Sequence, residues 1–216
     1  MGVPRCGQHD GVGPKSPLRR SPVQARAKER IERVLDAAEE VFVSVGYEAA
    51  TTNQIAAQAE TSIGSIYEFF GNKQAVAKAL ADRYLDELTR LYDEVVVDDP
   101  GGRDAIVAKI VDALDDFYTK HPGLGPLLRG CRGSEDLQAA GQNLQASLID
   151  HVDVLIARRR ATADPARRHV VAEMCADVLR CVLDDVADKP PEERKELVAE
   201  LKLVLISYLT VALPRV

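Results

Sequence analysis

Between residues 51 and 73 the chain reads TTNQIAAQAETSIGSIYEFFGNK, and the chemistry concentrated there is hydrogen bonding to oxygen-rich partners. Thr51, Thr52, Tyr67 and Lys73 carry donors suited to phosphates, while Ser62, Gly64 and Ser65 are small enough to let a backbone approach base edges. Lys73 also stands at the amino end of a following helix, where free amides favour an anion. Catalytic groups show no such concentration. Cys6, Cys131, Cys175 and Cys181 have neither metal-ligand nor redox spacing, so buried reduced thiols are expected. His9, His121, His151 and His169 form no ligand cluster, so no metal and no other cofactor is assigned. The chain also lacks a phosphate loop and a nucleophile elbow, which argues against an enzyme.

The elements that must position residues 51–73 are all helical. Ile31, Val34, Leu35, Ala38, Phe42 and Val45 follow the helix period, and Gly46 can close that helix in a left-handed conformation. Thr51-x-x-Gln54 is a capping box for a short second helix, with Ile55, Ala56 and Ala59 on its buried face. Ser62 is the expected N-cap of a third, Ile63 to Phe70, and Asn72 can cap a long fourth carrying Val76, Leu80, Tyr84, Leu88, Leu91 and Val95. A long helix followed by two short ones across a three to four residue break makes a helix-turn-helix, whose second short helix can enter the DNA major groove.

The same residues resemble the DNA-binding region of TetR-type (TetR/AcrR) transcriptional regulators. The pattern is carried by Thr51-Thr52, Ile55-Ala56, Gly64, Ile66-Tyr67, Phe70 and Lys73. Glu60 stands where such proteins commonly have Gly, and a left-handed residue with a Cβ there costs roughly 1–2 kcal/mol. Phe69 replaces the usual His. The resemblance implies that Thr52, Tyr67 and Lys73 hold phosphates and that Asn53, Ile63, Gly64 and Ser65 lie nearest the bases. Ile63 is then expected against a thymine methyl.

Beyond residue 80 the chain stays helical, and no stretch alternates with the period of a strand. Pro122 stops a fifth helix, Leu124 to Arg129 is a short helical turn, and a long seventh helix ends at Arg158-Arg159-Arg160. Pro165 and Pro191 open the last two. The expected fold is all-α, with a disordered basic tail (1–24), a DNA-binding head (25–72) and a helical effector-binding and dimerisation domain (73–216).

The family resemblance implies a ligand pocket among the later helices, for which Phe117, Tyr118, His121, Leu144, Leu148, His151, Met174 and Cys175 are the candidate lining. The last two helices are apolar on more than one side, so one face needs a partner. Val178, Cys181, Val182, Leu201, Leu205, Tyr208 and Leu209 are the candidates for a two-fold homodimer interface.

Charge agrees with this division. The whole chain carries −6, yet residues 1–35 hold eight basic side chains against three acidic ones. No apolar stretch approaches the roughly 20 residues of a membrane span. The expectation is a cytoplasmic homodimeric repressor released from a pseudo-palindromic operator on double-stranded DNA by a small, mainly apolar effector. A helical carrier or enzyme without operator binding, or a DNA-binding protein with a protein effector, is the alternative. An open apolar groove would favour a protein effector over an enclosed cavity.

Overall fold

In the computed structural model the described residues are 22–96, 101–133, 135–159, 163–187 and 189–213, so the expected basic tail lies outside them except for its last residues. Nine helices and no strand occur among the described residues: α1 (Pro22–Ala49), α2 (Thr52–Gln58), α3 (Ile63–Phe69), α4 (Lys73–Val96), α5 (Arg103–Lys120), α6 (Leu124–Gly133), α7 (Glu135–Arg159), α8 (Pro165–Val186) and α9 (Pro191–Ala212).

The head is built on α1. Val34, Ala38 and Phe42 on one of its faces are fully buried, and Ile55 of α2 and Ile66 of α3 fill the same core. Gly46, at φ 77°, breaks the helical path inside α1. The bend turns Tyr47 inward, where its ring meets Phe42 edge-on at 5.5 Å between centroids. Asn72 caps α4 through a 2.8 Å bond from the Ala75 amide to its side-chain oxygen.

In the body, α4 to α9 form a bundle in which α7 packs on α4, α6 and α8, and α9 packs on α5 and α8. α6 continues past Arg129 because Gly130 does not end the helix. Gly130 instead lets α6 approach α1, for a Cβ there would lie 2.8 Å from the Tyr47 side chain. Gly123 likewise leaves no room for a Cβ, which would come within 2.6 Å of Glu39 Cγ.

A polar junction ties head to body. Arg83 of α4 reaches three carboxylates of α1, at 2.6 Å from Asp36, 3.3 Å from Glu39 and 3.5 Å from Glu32. His121, directly after α5, places Nε2 3.0 Å from Glu87 of α4 and Nδ1 3.9 Å from Glu39. The Gly123 amide donates to the same Glu39 carboxylate at 3.3 Å.

Candidate functional site

The two short helices are held in place by local chemistry. At the start of α2 the Thr51 hydroxyl accepts from the Gln54 amide at 3.2 Å, and the Gln54 side-chain oxygen accepts from the Thr51 amide at 2.8 Å. The Thr51 hydroxyl also donates to that oxygen at 2.9 Å, so its hydrogen is engaged inside the cap rather than offered to a phosphate. At the start of α3, Ser62 Oγ accepts from the Ser65 amide at 3.1 Å and shares a 3.0 Å bond with Ser65 Oγ.

The turn between them is a Schellman motif. The Glu60 amide donates to Ala57 at 3.2 Å and the Thr61 amide to Ala56 at 3.0 Å. This geometry requires a left-handed residue, and Glu60 has φ 49°. The turn has the shape expected of it, with a side chain where glycine would relax it.

Around this frame, Thr52, Asn53, Ser62, Gly64, Ser65 and Tyr67 are exposed or half-buried, and Tyr67 is 55% exposed with its phenol available. Ile63 is half-buried against the core, so only part of it can reach a partner. Phe69 lies under the Arg30 guanidinium at 5.9 Å, which brings a cation of α1 beside the end of α3.

Lys73 is placed differently from its expected role. Its ammonium donates to the carbonyls of Tyr47 at 2.8 Å and Glu48 at 3.0 Å, and lies 4.5 Å from the Tyr47 ring centroid. Carbonyls released by the break at Gly46 take up this charge. Lys73 therefore fastens the end of α1 to the start of α4.

A cavity of about 480 Å³ opens between α5, α7, α8 and α9. Its walls are aliphatic, with Ile106, Ile110, Ile156, Leu179 and Leu205 among them, and Gly101, Gly102 and Arg103 line one end. The expected helices contribute, but through other faces. Of the candidate lining only Cys175 reaches this cavity, where burial pushes its thiol up to about 12 and keeps it neutral. Tyr118, Leu144 and Leu148 line a separate crevice of about 40 Å³ against α4 and α6. Phe117 faces an outer groove with Glu87 and Lys120.

His121 belongs to the head–body junction. His151 Nδ1 donates to the Ser147 carbonyl at 2.6 Å and the ring stacks on Tyr92 at 4.5 Å, while Met174 is 49% exposed. A histidine on an apolar face marks burial, not which space it faces. Arg103 was missed, and its only signal is a cation directly after Gly101-Gly102.

The expected partner face is corrected in the same way. Leu201, Leu205 and Leu209 are buried inward, the last two in the cavity wall. Val178, Val182 and Tyr208 are half-buried and Cys181 is exposed, in company with exposed Val170 and Met174 on α8 and Leu197, Val204 and Val211 on α9.

A three-helix reading head on a larger helical body defines a class of DNA-binding regulator, and relatives agree. Residues 34–80 match the model for bacterial regulatory proteins of the tetR family, and residues 104–209 match the tetracyclin repressor-like C-terminal domain. The chain belongs to the TetR family of transcriptional regulators. It is 39% identical over 59 residues to the A-factor receptor protein of Streptomyces griseus, a match covering 27% of this chain and 21% of that protein. It is 45% identical over 56 residues to the uncharacterized HTH-type transcriptional regulator TtgW of Pseudomonas putida, covering 26% and 42%. These matches span less than half of either relative. Over nearly the whole chain, the fold is similar to the crystal structure of a TetR-family transcriptional regulator from Streptomyces coelicolor, with a TM-score of 0.65 and 24% identity over 85% of this chain and 99% of that one.

Proposed function

We propose that the chain is an operator-binding repressor that acts as a homodimer and is released from DNA by a small molecule held in its body. The observation that carries this reading is the face of α3. Gly64 and Tyr67 are exposed on a helix whose two ends are fixed by independent caps, so the face can enter a groove without first becoming ordered. Thr52 and Tyr67 would hold phosphates, while Asn53, Ser62, Ile63, Gly64 and Ser65 approach base edges. Thr51 and Lys73 position these residues. No helix among the described residues is long and apolar enough to cross a membrane, which fits a cytoplasmic site of action beside its DNA.

The body supports a small-molecule effector over a protein one, because a cavity of about 480 Å³ with aliphatic walls lies between its helices. Its volume lies in the range of about 300–1,000 Å³ common for small-molecule sites. A ligand there would bear on α5 and α7, which pack on α4, and α4 carries the head through Arg83. The exposed apolar stripe of α8 and α9 would pair two copies about a two-fold axis, placing the two α3 helices roughly 34 Å apart for a pseudo-palindromic site.

Fluorescence anisotropy with duplexes tiled across the DNA upstream of the gene tests this. One duplex should bind specifically, and Gly64→Asp should abolish that binding while leaving the melting temperature unchanged. Tyr67→Phe should weaken it while leaving its salt dependence unchanged, because an uncharged phenol releases no counterion. Equal affinity for all duplexes, or an unaffected Gly64→Asp variant, would defeat the reading.

A further inference from the structure

We infer that the cavity between α5, α7, α8 and α9 takes a long-chain aliphatic carboxylic acid, with its chain among the aliphatic walls and its carboxylate at Arg103. The inference deepens the effector reading above and rests on it for any consequence at the operator.

The walls exclude most alternatives. Among the described residues no aromatic side chain lines the cavity, so flat aromatic ligands find nothing there to stack on. Among the described residues the only charged side chain in the lining is Arg103, and a sugar or peptide would bury most of its hydroxyls or amides against aliphatic walls. Cys175, held neutral by burial, behaves there as another small apolar group. A cationic amphiphile would meet a guanidinium.

Arg103 is held at the mouth. Its Nη1 donates to the Leu209 carbonyl at 3.0 Å, which fixes the guanidinium between the start of α5 and the end of α9. Its Nε is buried without a hydrogen-bond partner among the described residues, with the carboxylate of Asp104 at 3.8 Å. The Asp104 side chain is 69% exposed, whereas that of Arg103 is 21% exposed, so solvent screens the aspartate more than the arginine.

The same end carries the first turn of α5, whose N-cap Gly102 offers no side chain to its amides. A Cβ at Gly102 would meet open space, which leaves an approach to the mouth. An acid arriving there meets a planar cation able to bind both carboxylate oxygens. At about 30 Å³ for each water-sized group, the cavity holds a chain of roughly twelve carbons with its head.

The test is calorimetric titration of the full chain with sodium dodecanoate, 1-dodecanol and 2-naphthoate below their aggregation concentrations. Dodecanoate should saturate at one per chain and dodecanol should bind roughly tenfold more weakly or worse, the difference of a strong charge-assisted contact. Naphthoate should not bind measurably. Arg103→Gln should bring dodecanoate down to the dodecanol level without changing dodecanol itself. Cys175→Phe, which fills the cavity and touches no polar contact, should abolish binding of both.

If Arg103→Gln fails to fold, the ratio of acid to alcohol on the unaltered protein and the Cys175→Phe variant still decide. Equal affinity for acid and alcohol, or dodecanoate binding unchanged by Cys175→Phe, overturns the inference. Operator binding, followed separately, distinguishes the two readings. Saturable, Arg103-dependent dodecanoate binding that leaves operator affinity unchanged would sustain the site and defeat its role as effector site. Release of the operator by another compound, with no dodecanoate binding, would do the reverse.

Discussion

Glu60 holds the turn of the reading head in a conformation that its own side chain resists. The two Schellman hydrogen bonds show that the strain is tolerated because the backbone around it is over-determined. Replacing Glu60 with Gly should therefore stabilise the protein by about 1 kcal/mol, less the added entropy of the unfolded chain. After that offset a thermal melt should rise by at most roughly 2–4 °C for a chain of this size. A lower melting temperature would mean that the left-handed conformation at Glu60 costs less than the unfolded-chain entropy that glycine adds. Lys73 shows the limits of reading a residue by type: a lysine at a helix start suits a phosphate, and here two carbonyls exposed by the bend at Gly46 hold it.

At the scale of elements, α1 and α4 are joined by the junction around Glu39, Arg83, Glu87 and His121. Burial lowers the pKa of His121, while Glu87 and Glu39 oppose that shift and the cations of Lys120 and Arg83 add to it. The unfolded chain thus takes up a proton below about pH 6.5, before the folded one does. Stability from this group is present above that pH and is lost as pH falls through and below it. Melting temperatures measured from neutrality downward should decline over this window, and His121→Gln should reduce the decline. An identical pH profile for both proteins would remove His121 as its source.

The short elements of the head were legible because each cap is a contact over three residues, as in Thr51 with Gln54 and Ser62 with Ser65. The cavity was not. Cys175 and Leu179 of α8 face inward while Met174 is exposed one position away, and Leu205 and Leu209 of α9 face inward while Val204 and Val211 do not. Two apolar faces on one helix give periodicity no means of choosing which is core.

For the whole molecule, the stripe through Val170, Met174, Leu197, Val204 and Val211 is the proposed dimer face, and Val211 is 81% exposed in the single chain. Under the dimer reading, Val204→Asp together with Val211→Asp should shift sedimentation from dimer to monomer and weaken operator binding by more than tenfold, since each head then binds alone. A monomer already present in the unaltered protein would contradict that assembly. Charge acts at the same scale, because −6 in total is compatible with DNA only if the acidic body is turned away from it.

The aliphatic cavity has a mechanical consequence as well. Internal space that is eliminated on unfolding makes the unfolded state the smaller one, so hydrostatic pressure favours it. Without a ligand, the body should be the more compressible part of the molecule and should yield at lower pressure than the head. A ligand that fills the space should raise the unfolding pressure of the body and narrow that gap. High-pressure nuclear magnetic resonance could then follow occupancy in a protein that has no tryptophan to report it.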